Sequence, residues 1–253
     1  MHARPVGRRR AHAFTAPLVL VLGAWNNVVV TRLPRYPGSY VPANVAATGL
    51  LLMAARAAGI SREELGLDRQ GWPGGLRWGG PCLAVVAAAC AAGVAVPAVR
   101  PLFADARLAG ADGGDVAYQV LIRIPLGTVL WEETAFRGVL LAALTRTFFQ
   151  PAALGASAVL FGVWHVRPTA EAVAANDLAP GPVMRWLAVL LGCTATAAAG
   201  WLFAWLRVRS GSLLAPVLLH LGTNTVGTLA AAAAHRLDRG TPRRSRSRVA
   251  TGT

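Results

Sequence analysis

The sequence predicts an all-α fold, a polytopic transmembrane helical bundle of about seven to eight spans, and three observations carry that prediction. Hydrophobic residues make up 55% of the 253 residues and charged residues only 14%, with a mean hydropathy of +0.47, outside the range of a soluble domain. Apolar runs recur along the chain, each close to the ~20 residues a helix needs to cross the hydrocarbon core. None of these runs alternates apolar and polar residues with the period of a strand.

Taken in order, the first run spans 14–30 behind Arg4, Arg8, Arg9 and Arg10. This has the outline of a signal peptide, but no small-x-small cleavage site follows, so it reads as an uncleaved first span. Further runs occupy 43–59, 82–98, 118–144, 152–170, 185–206 and 212–234, giving seven candidate spans. Turn chemistry separates them at Leu33-Pro34-Arg35-Tyr36-Pro37-Gly38, Gly71-Trp72-Pro73-Gly74-Gly75, Asp112-Gly113-Gly114 and Ala179-Pro180-Gly181-Pro182. The chain divides into N-terminal spans without a recognised motif (1–117), a core (118–234) and a basic tail (235–253) expected to be disordered. With the N-terminal arginines inside, Arg62, Arg69, Arg77, Arg146, Arg207 and Arg209 also fall inside, and the acidic 101–117 loop falls outside. The arginines of the tail break that rule for seven spans, and an eighth would restore it.

Composition narrows the partners. All 25 basic residues are arginine and the formal net charge is +14. In a soluble protein that would point to nucleic acid, but here the arginines gather at the ends of apolar runs and in the tails. Anionic headgroups of the lipid bilayer are the nearer partner, and no nucleic acid is expected. Cys82, Cys90 and Cys193 lie in or beside apolar runs without metal-ligand spacing, and read as small core residues.

Of the 11 acidic residues, only Glu132 and Glu133 sit in the middle of an apolar run. A charge at the bilayer centre costs about 2.5–3.5 kcal/mol even on the lenient scale, so an intramembrane carboxylate pair marks function by default. Glu133 and Arg137, at i and i+4, share a helix face and can pair, whereas Glu132 points ~100° away, free to face a cavity. His165 ends the run Phe161-Gly162-Val163-Trp164, with Phe161 one turn before it. Alone it is equally consistent with an interfacial residue beside Trp164. His220 lies deeper, with Asn224 one turn on, and Pro216 one turn back frees a carbonyl and permits a bend at that depth. An interhelical hydrogen-bonded pair is the plain structural alternative for His220 and Asn224.

Taken together, Trp131-Glu132-Glu133-Thr134-Ala135-Phe136-Arg137-Gly138, Phe161-Gly162-Val163-Trp164-His165 and His220-Leu221-Gly222-Thr223-Asn224 resemble the three signature motifs of the CPBP intramembrane proteases. This family, also called the Abi or type II CAAX prenyl endopeptidase family, includes eukaryotic CAAX-processing enzymes and bacterial bacteriocin-processing or immunity proteins. The resemblance covers roughly residues 118–234. It implies a membrane endopeptidase in which Glu132 activates a water shared with His165, His220 and Asn224 stabilise the oxyanion, and Glu133, Arg137 and Phe161 support the site. Whether a metal takes part is left open by the residues: Glu132, His165 and His220 are candidate zinc ligands, but there is no His-Glu-x-x-His and Asn is a poor ligand, which favours a cofactor-free mechanism. The rivals are a proton-coupled transporter and a catalytically silent immunity or scaffold protein. The polar signatures all lie in the second half of the chain, which speaks against a transporter built from related halves. The expected substrate is a membrane-associated protein or peptide. The arginine-only, alanine-rich composition points to a high-GC bacterium and a multi-pass protein of its cell membrane.

Overall fold

A computed structural model describes residues 5–240, and over that range the chain is helices and their connections, with no strand. Eight helical segments follow in order: α1 (5–32), α2 (Tyr40–Ala57), α3 (Trp72–Ala95), α4 (113–145), α5 (Gln150–Trp164), α6 (Val166–Ala175), α7 (Gly181–Ser210) and α8 (214–240). The all-α bundle expected from composition is what forms. Four stretches are long and apolar enough to cross a membrane by themselves: Ala13–Arg32, Arg69–Ala95, Gly181–Ser210 and Leu214–Arg239. Their outward faces carry exposed Leu20, Val85, Trp186, Leu190 and Leu191, the residues a lipid-facing surface requires.

α4 is the axis of the molecule. Every residue from Trp131 to Leu144 is buried, among them both glutamates and Arg137. Asp112 starts the helix by a reciprocal cap with Asp115, which turns the Asp-Gly-Gly segment from a loop signal into a helix start. Pro125 interrupts the helical ladder, and the backbone from Gln119 to Val129 widens to i→i+5 turns around it. Asn44 of α2 donates to Gly127 O (2.8 Å) and accepts from Trp25 Nε1 of α1 (2.8 Å). One buried carboxamide thus joins three helices at the bulge.

Three sequence expectations are corrected. The run 152–170 is not one span, because it breaks at His165 into α5 and α6. Pro168 has no N–H to give the carbonyl of Trp164, so the α5 ladder cannot pass this point. Asn27 of α1 fills the gap, accepting from Arg167 N (2.9 Å) and donating to Val163 O (2.8 Å), while Asn26 donates to Trp164 O (3.4 Å). Second, Gly74 and Gly75 do not form a turn but lie in the first turns of α3, behind Pro73 at the helix start. Gly75 and Gly79, four apart, let α3 approach the start of α8: a Cβ at Gly75 would lie 2.8 Å from Leu214 Cβ, and one at Gly79 2.8 Å from Ala215 Cα. Third, α8 begins at Leu214, so Pro216 occupies its first turn, where a missing N–H costs nothing, rather than the interior of a longer helix. Of the expected tail, 235–240 continues α8, and residues 241–253 lie outside the described residues.

The loop between α2 and α3 is pinned by two arginines. Arg146, at the end of α4, binds Glu64 (Nε to Oε1, 2.7 Å) and donates to Gly59 O (2.7 Å), covering the C-terminal carbonyls of α2. Its hydrogen bonds hold the Glu64 carboxyl below its ordinary value. Arg207 of α7 donates to Glu63 O and Glu64 O from the other side.

Candidate active site

The three motifs stand on α4, at the α5–α6 break and on α8, and the fold brings them together. Glu132 is 3% exposed, Glu133 0% and Arg137 1%, so none is solvated by bulk water and each must find its partners inside. Arg137 Nη1 donates to Glu133 Oε1 at 3.0 Å, the i,i+4 pair expected from spacing. Its guanidinium also lies over the rings of Phe161 (4.0 Å) and Phe203 (4.8 Å), and Nη2 donates to Gly200 O at 3.5 Å. A desolvated cation over an aromatic face is worth about 2 kcal/mol, so α5 and α7 help to hold the charge.

Glu133 has a second partner that spacing alone did not reveal. His220 Nδ1 lies 2.7 Å from the same Oε1, so the imidazole donates its Nδ1 proton to the carboxylate and turns Nε2 toward Glu132. The distance from His220 Nε2 to Glu132 Oε2 is 3.9 Å. Asn224 Nδ2 lies 3.1 Å from His220 Nε2, and its Oδ1 accepts from Thr223 Oγ1 at 3.4 Å. The widened turns of Gly222–Val226 carry Thr223 and Asn224 just past His220.

His165 is arranged in the same sense. Its Nδ1 donates to Phe161 O at 2.8 Å, a carbonyl left free because α5 stops here, and its Nε2 lies 3.9 Å from Glu132 Oε2. Phe161 therefore meets His165 with its carbonyl as well as its ring, the ring centroids 4.5 Å apart. Two imidazole nitrogens and one carboxylate oxygen therefore converge, with each Nδ1 committed to a protein acceptor.

Trp164 is the residue at the site that sequence reasoning passed over, naming it only as the neighbour of His165. It is buried, 1% exposed, and donates Nε1–H to Glu132 Oε1 at 3.0 Å. Trp25 and Trp131 continue an aromatic wall beside it (Trp25–Trp131 5.5 Å, Trp131–Trp164 6.1 Å). Oε1 of Glu132 is thus fixed, and Oε2 has no protein partner among the described residues. An adjacent Trp-His pair at the end of an apolar run, followed three residues later by proline, was the available signal.

A cavity of about 780 Å³ opens beside this cluster, and His165 and Asn224 form part of its wall. Asp105, which also lines it, is held by Arg107 (2.6 Å), whose hydrogen bonds lower its carboxyl from the usual 3.8 to about 2. As a metal centre the donor set fits poorly. The His220 Nε2 lone pair is taken by Asn224, and no group of three His, Cys, Asp or Glu among the described residues is placed to hold an ion.

No curated protein and no solved structure matches the chain. A family model does: residues 115–226, which include all three motifs and the α4 axis, match the Rce1-like type II CAAX prenyl endopeptidases. The buried glutamates, the two histidines and the asparagine all fall inside that match, so over residues 115–226 this helical chain, with four stretches long and apolar enough to cross a membrane among the described residues, is similar to the Rce1-like type II CAAX prenyl endopeptidases.

Proposed function

We propose that the protein hydrolyses a peptide bond in a membrane-associated protein or peptide, in a bacterial plasma membrane, through a water activated by Glu132 without a metal. The observation that carries this reading is the convergence of Glu132 Oε2, His165 Nε2 and His220 Nε2, the two nitrogens 3.9 Å from the oxygen. Separations of 3.9 Å are too long for direct hydrogen bonds and suit a small molecule with two protons to give. Water is that molecule. Glu132 Oε2 takes one proton as the water oxygen attacks the carbonyl carbon, and His165 Nε2 accepts the other as a hydrogen bond, orienting the nucleophile. The carbonyl electron pair moves to oxygen. Asn224 Nδ2 donates to that oxyanion, and His220 Nε2 joins it once the ring has taken a second proton from solvent and given up its bond from Asn224, a form that Glu133 supports by accepting Nδ1–H. Collapse breaks the C–N bond, and Glu132 returns its proton to the departing amine.

Trp164 keeps Glu132 Oε1 occupied, so proton transfer runs through Oε2 alone. Arg137 balances Glu133, which leaves Glu132 as the reactive carboxylate. A proton-coupled transporter would need carboxylates and histidines distributed across the membrane, whereas those buried in the described helices, Glu132, Glu133 and His220, stand together. The test is cleavage. Membrane N-terminomes of cells making the intact protein should contain new N-termini that are missing from cells making Glu132→Ala, and purified protein in liposomes should produce the same cut. Identical N-terminomes from the two strains, with both proteins present in the membrane, would refute the proposal.

A further inference from the structure

The break at His165 is closed by a residue that none of the three motifs contains. α5 ends at Trp164 and α6 begins at Val166, so the backbone groups on both sides of His165 are helix-end groups that need partners from outside the ladder. Two are met locally, Gly162 O by His165 N (3.0 Å) and Phe161 O by His165 Nδ1 (2.8 Å). Others are met from α1. Asn27 Nδ2 donates to Val163 O (2.8 Å) and to Gly23 O of its own helix (3.0 Å), and Asn27 Oδ1 accepts from Arg167 N (2.9 Å). A carboxamide has two hydrogens to give and one oxygen to accept, and all are used here. One side chain thus caps the end of α5 and the start of α6, and Asn26 adds a bond to Trp164 O (3.4 Å).

The same stretch of α1 bears on the other half of the site. From Trp25 to Val29 its backbone widens to i→i+5 turns, a distortion that is rare and concentrates at functional positions. The ring of Trp25 packs 5.5 Å from that of Trp131, the neighbour of Glu132, and its Nε1 donates to Asn44, which donates in turn to Gly127 O. Trp25 therefore meets α4 beside Glu132, while Asn26 and Asn27 meet the backbone around His165. What these contacts set is a distance. Trp164 and His165 lie between the two backbone groups that Asn27 binds, and they are the residues that face Glu132, Trp164 Nε1 at 3.0 Å from Oε1 and His165 Nε2 at 3.9 Å from Oε2. Any donor and acceptor would satisfy the break. Holding the pair at one distance needs both from a single side chain that is itself fixed, which the bond to Gly23 O provides.

We propose that Asn27 is a positioning residue for the reaction: it holds Trp164 and His165 against Glu132, so that α1 takes part in catalysis although it lies outside residues 115–226. This assignment rests on the proteolytic reading of the site. A misplacement of ~1 Å at a reacting group can cost about 10²-fold in rate. Asn27 is not among the residues that line the cavity, so the loss should fall on kcat and spare KM.

The experiment measures cleavage, by the purified full chain in liposomes, of a decapeptide spanning the cut that the N-terminome comparison identifies. Asn27→Leu keeps the volume and removes all three bonds, and its kcat should fall roughly 10–100-fold while KM stays within about twofold. Asn27→Asp keeps the acceptor for Arg167 N–H and loses the donor to Val163 O, and should show an intermediate kcat. Glu171→Ala removes the surface ion pair with Arg167 (2.8 Å) without touching the cap, and should turn over like the wild type. Hydrogen–deuterium exchange reads the break without turnover: amides within 163–169 should exchange faster in Asn27→Leu, with α4 unchanged. An undiminished kcat in Asn27→Leu would overturn the assignment, as would a loss accompanied by faster exchange throughout α4, which is the signature of a general support of the fold. Should Asn27→Leu fail to reach the membrane, Asn27→Asp decides, a lowered kcat at wild-type KM supporting the assignment and a wild-type kcat overturning it. The proteolytic reading fails separately, if the wild type cuts no peptide or Glu132→Gln still cuts it. Exchange then decides alone: acceleration confined to 163–169 supports the hold of α1 on the break, and unchanged exchange overturns it.

Discussion

Replacing Glu133 by Gln and Glu132 by Gln removes the same atom type from adjacent residues, yet the two changes should have opposite consequences for stability. Glu133 Oε1 is the shared acceptor of Arg137 Nη1 (3.0 Å) and His220 Nδ1 (2.7 Å). The amide introduced by Glu133→Gln could still accept through its oxygen, but the Arg137 guanidinium would then be a charge in the bundle interior with three aromatic rings and one long carbonyl contact for company. Removing one partner of a buried ion pair costs about 3–5 kcal/mol. At about 2–4 °C per kcal/mol for a chain of this size, that is a fall in Tm on the order of 10 °C. Glu132 has no ion-pair partner closer than the two imidazoles at 3.9 Å, and its Oε1 bond to Trp164 survives in the amide. Glu132→Gln should therefore fold as well as the wild type or better, and lose turnover completely. The assay is thermal unfolding in detergent followed by intrinsic tryptophan fluorescence, alongside peptide cleavage in liposomes. Equal losses of Tm in the two variants would show that the two glutamates do not divide the work as the geometry requires.

What was legible in the sequence follows the cost of burial. A charge in hydrocarbon is so expensive that Glu132, Glu133 and Arg137 declared themselves from position alone, and the i,i+4 spacing paired the right two. Spacing along one helix says nothing about what approaches from another, so the bond from Glu133 to His220, 87 residues away, could not be read. Helix boundaries failed where a residue had two meanings. Glycine and proline mark turns in soluble chains, but at 73–79 they start a helix and allow close approach of α8. The run 152–170 looked like one span because its apolar residues hide a break that Pro168 forces and Asn27, from the first helix, repairs. Four of the seven expected runs match stretches able to cross a membrane alone; the run at 118–144 is a full-length helix whose charges lower its hydropathy, and the break at His165 shortens the one at 152–170.

The remaining predictions probe the same cluster from its edges. Trp164→Phe keeps most of the ring but removes the donor to Glu132 Oε1, and should lower kcat/KM roughly tenfold while Tm changes little; an unchanged rate would leave Trp164 as packing only. Asp105, with its carboxyl lowered from 3.8 to about 2, contributes stability that is fully present above its usual value and is lost as pH falls through about 2. In Tm measured from pH 7 down to pH 2, the gap between wild type and Asp105→Asn should be constant to about pH 4 and narrow below it, and a gap that does not depend on pH would assign Asp105 no electrostatic role. His220→Ala and Asn224→Ala should each reduce kcat about 10²–10³-fold with little change in KM, since an oxyanion donor acts on the transition state. The same His220→Ala protein decides the metal question, because the two mechanisms part on composition as well as rate. If His220 held zinc, its loss would remove metal and activity together, and chelation of the intact enzyme would be reversed by added zinc. In the arrangement described, the His220 Nε2 lone pair is engaged by Asn224 at 3.1 Å and Nδ1 by Glu133, which leaves the ring no free nitrogen for an ion. Elemental analysis beside activity should therefore give no stoichiometric metal and full turnover in chelator-treated protein, whereas stoichiometric zinc with zinc-reversible inactivation would overturn the glutamate mechanism.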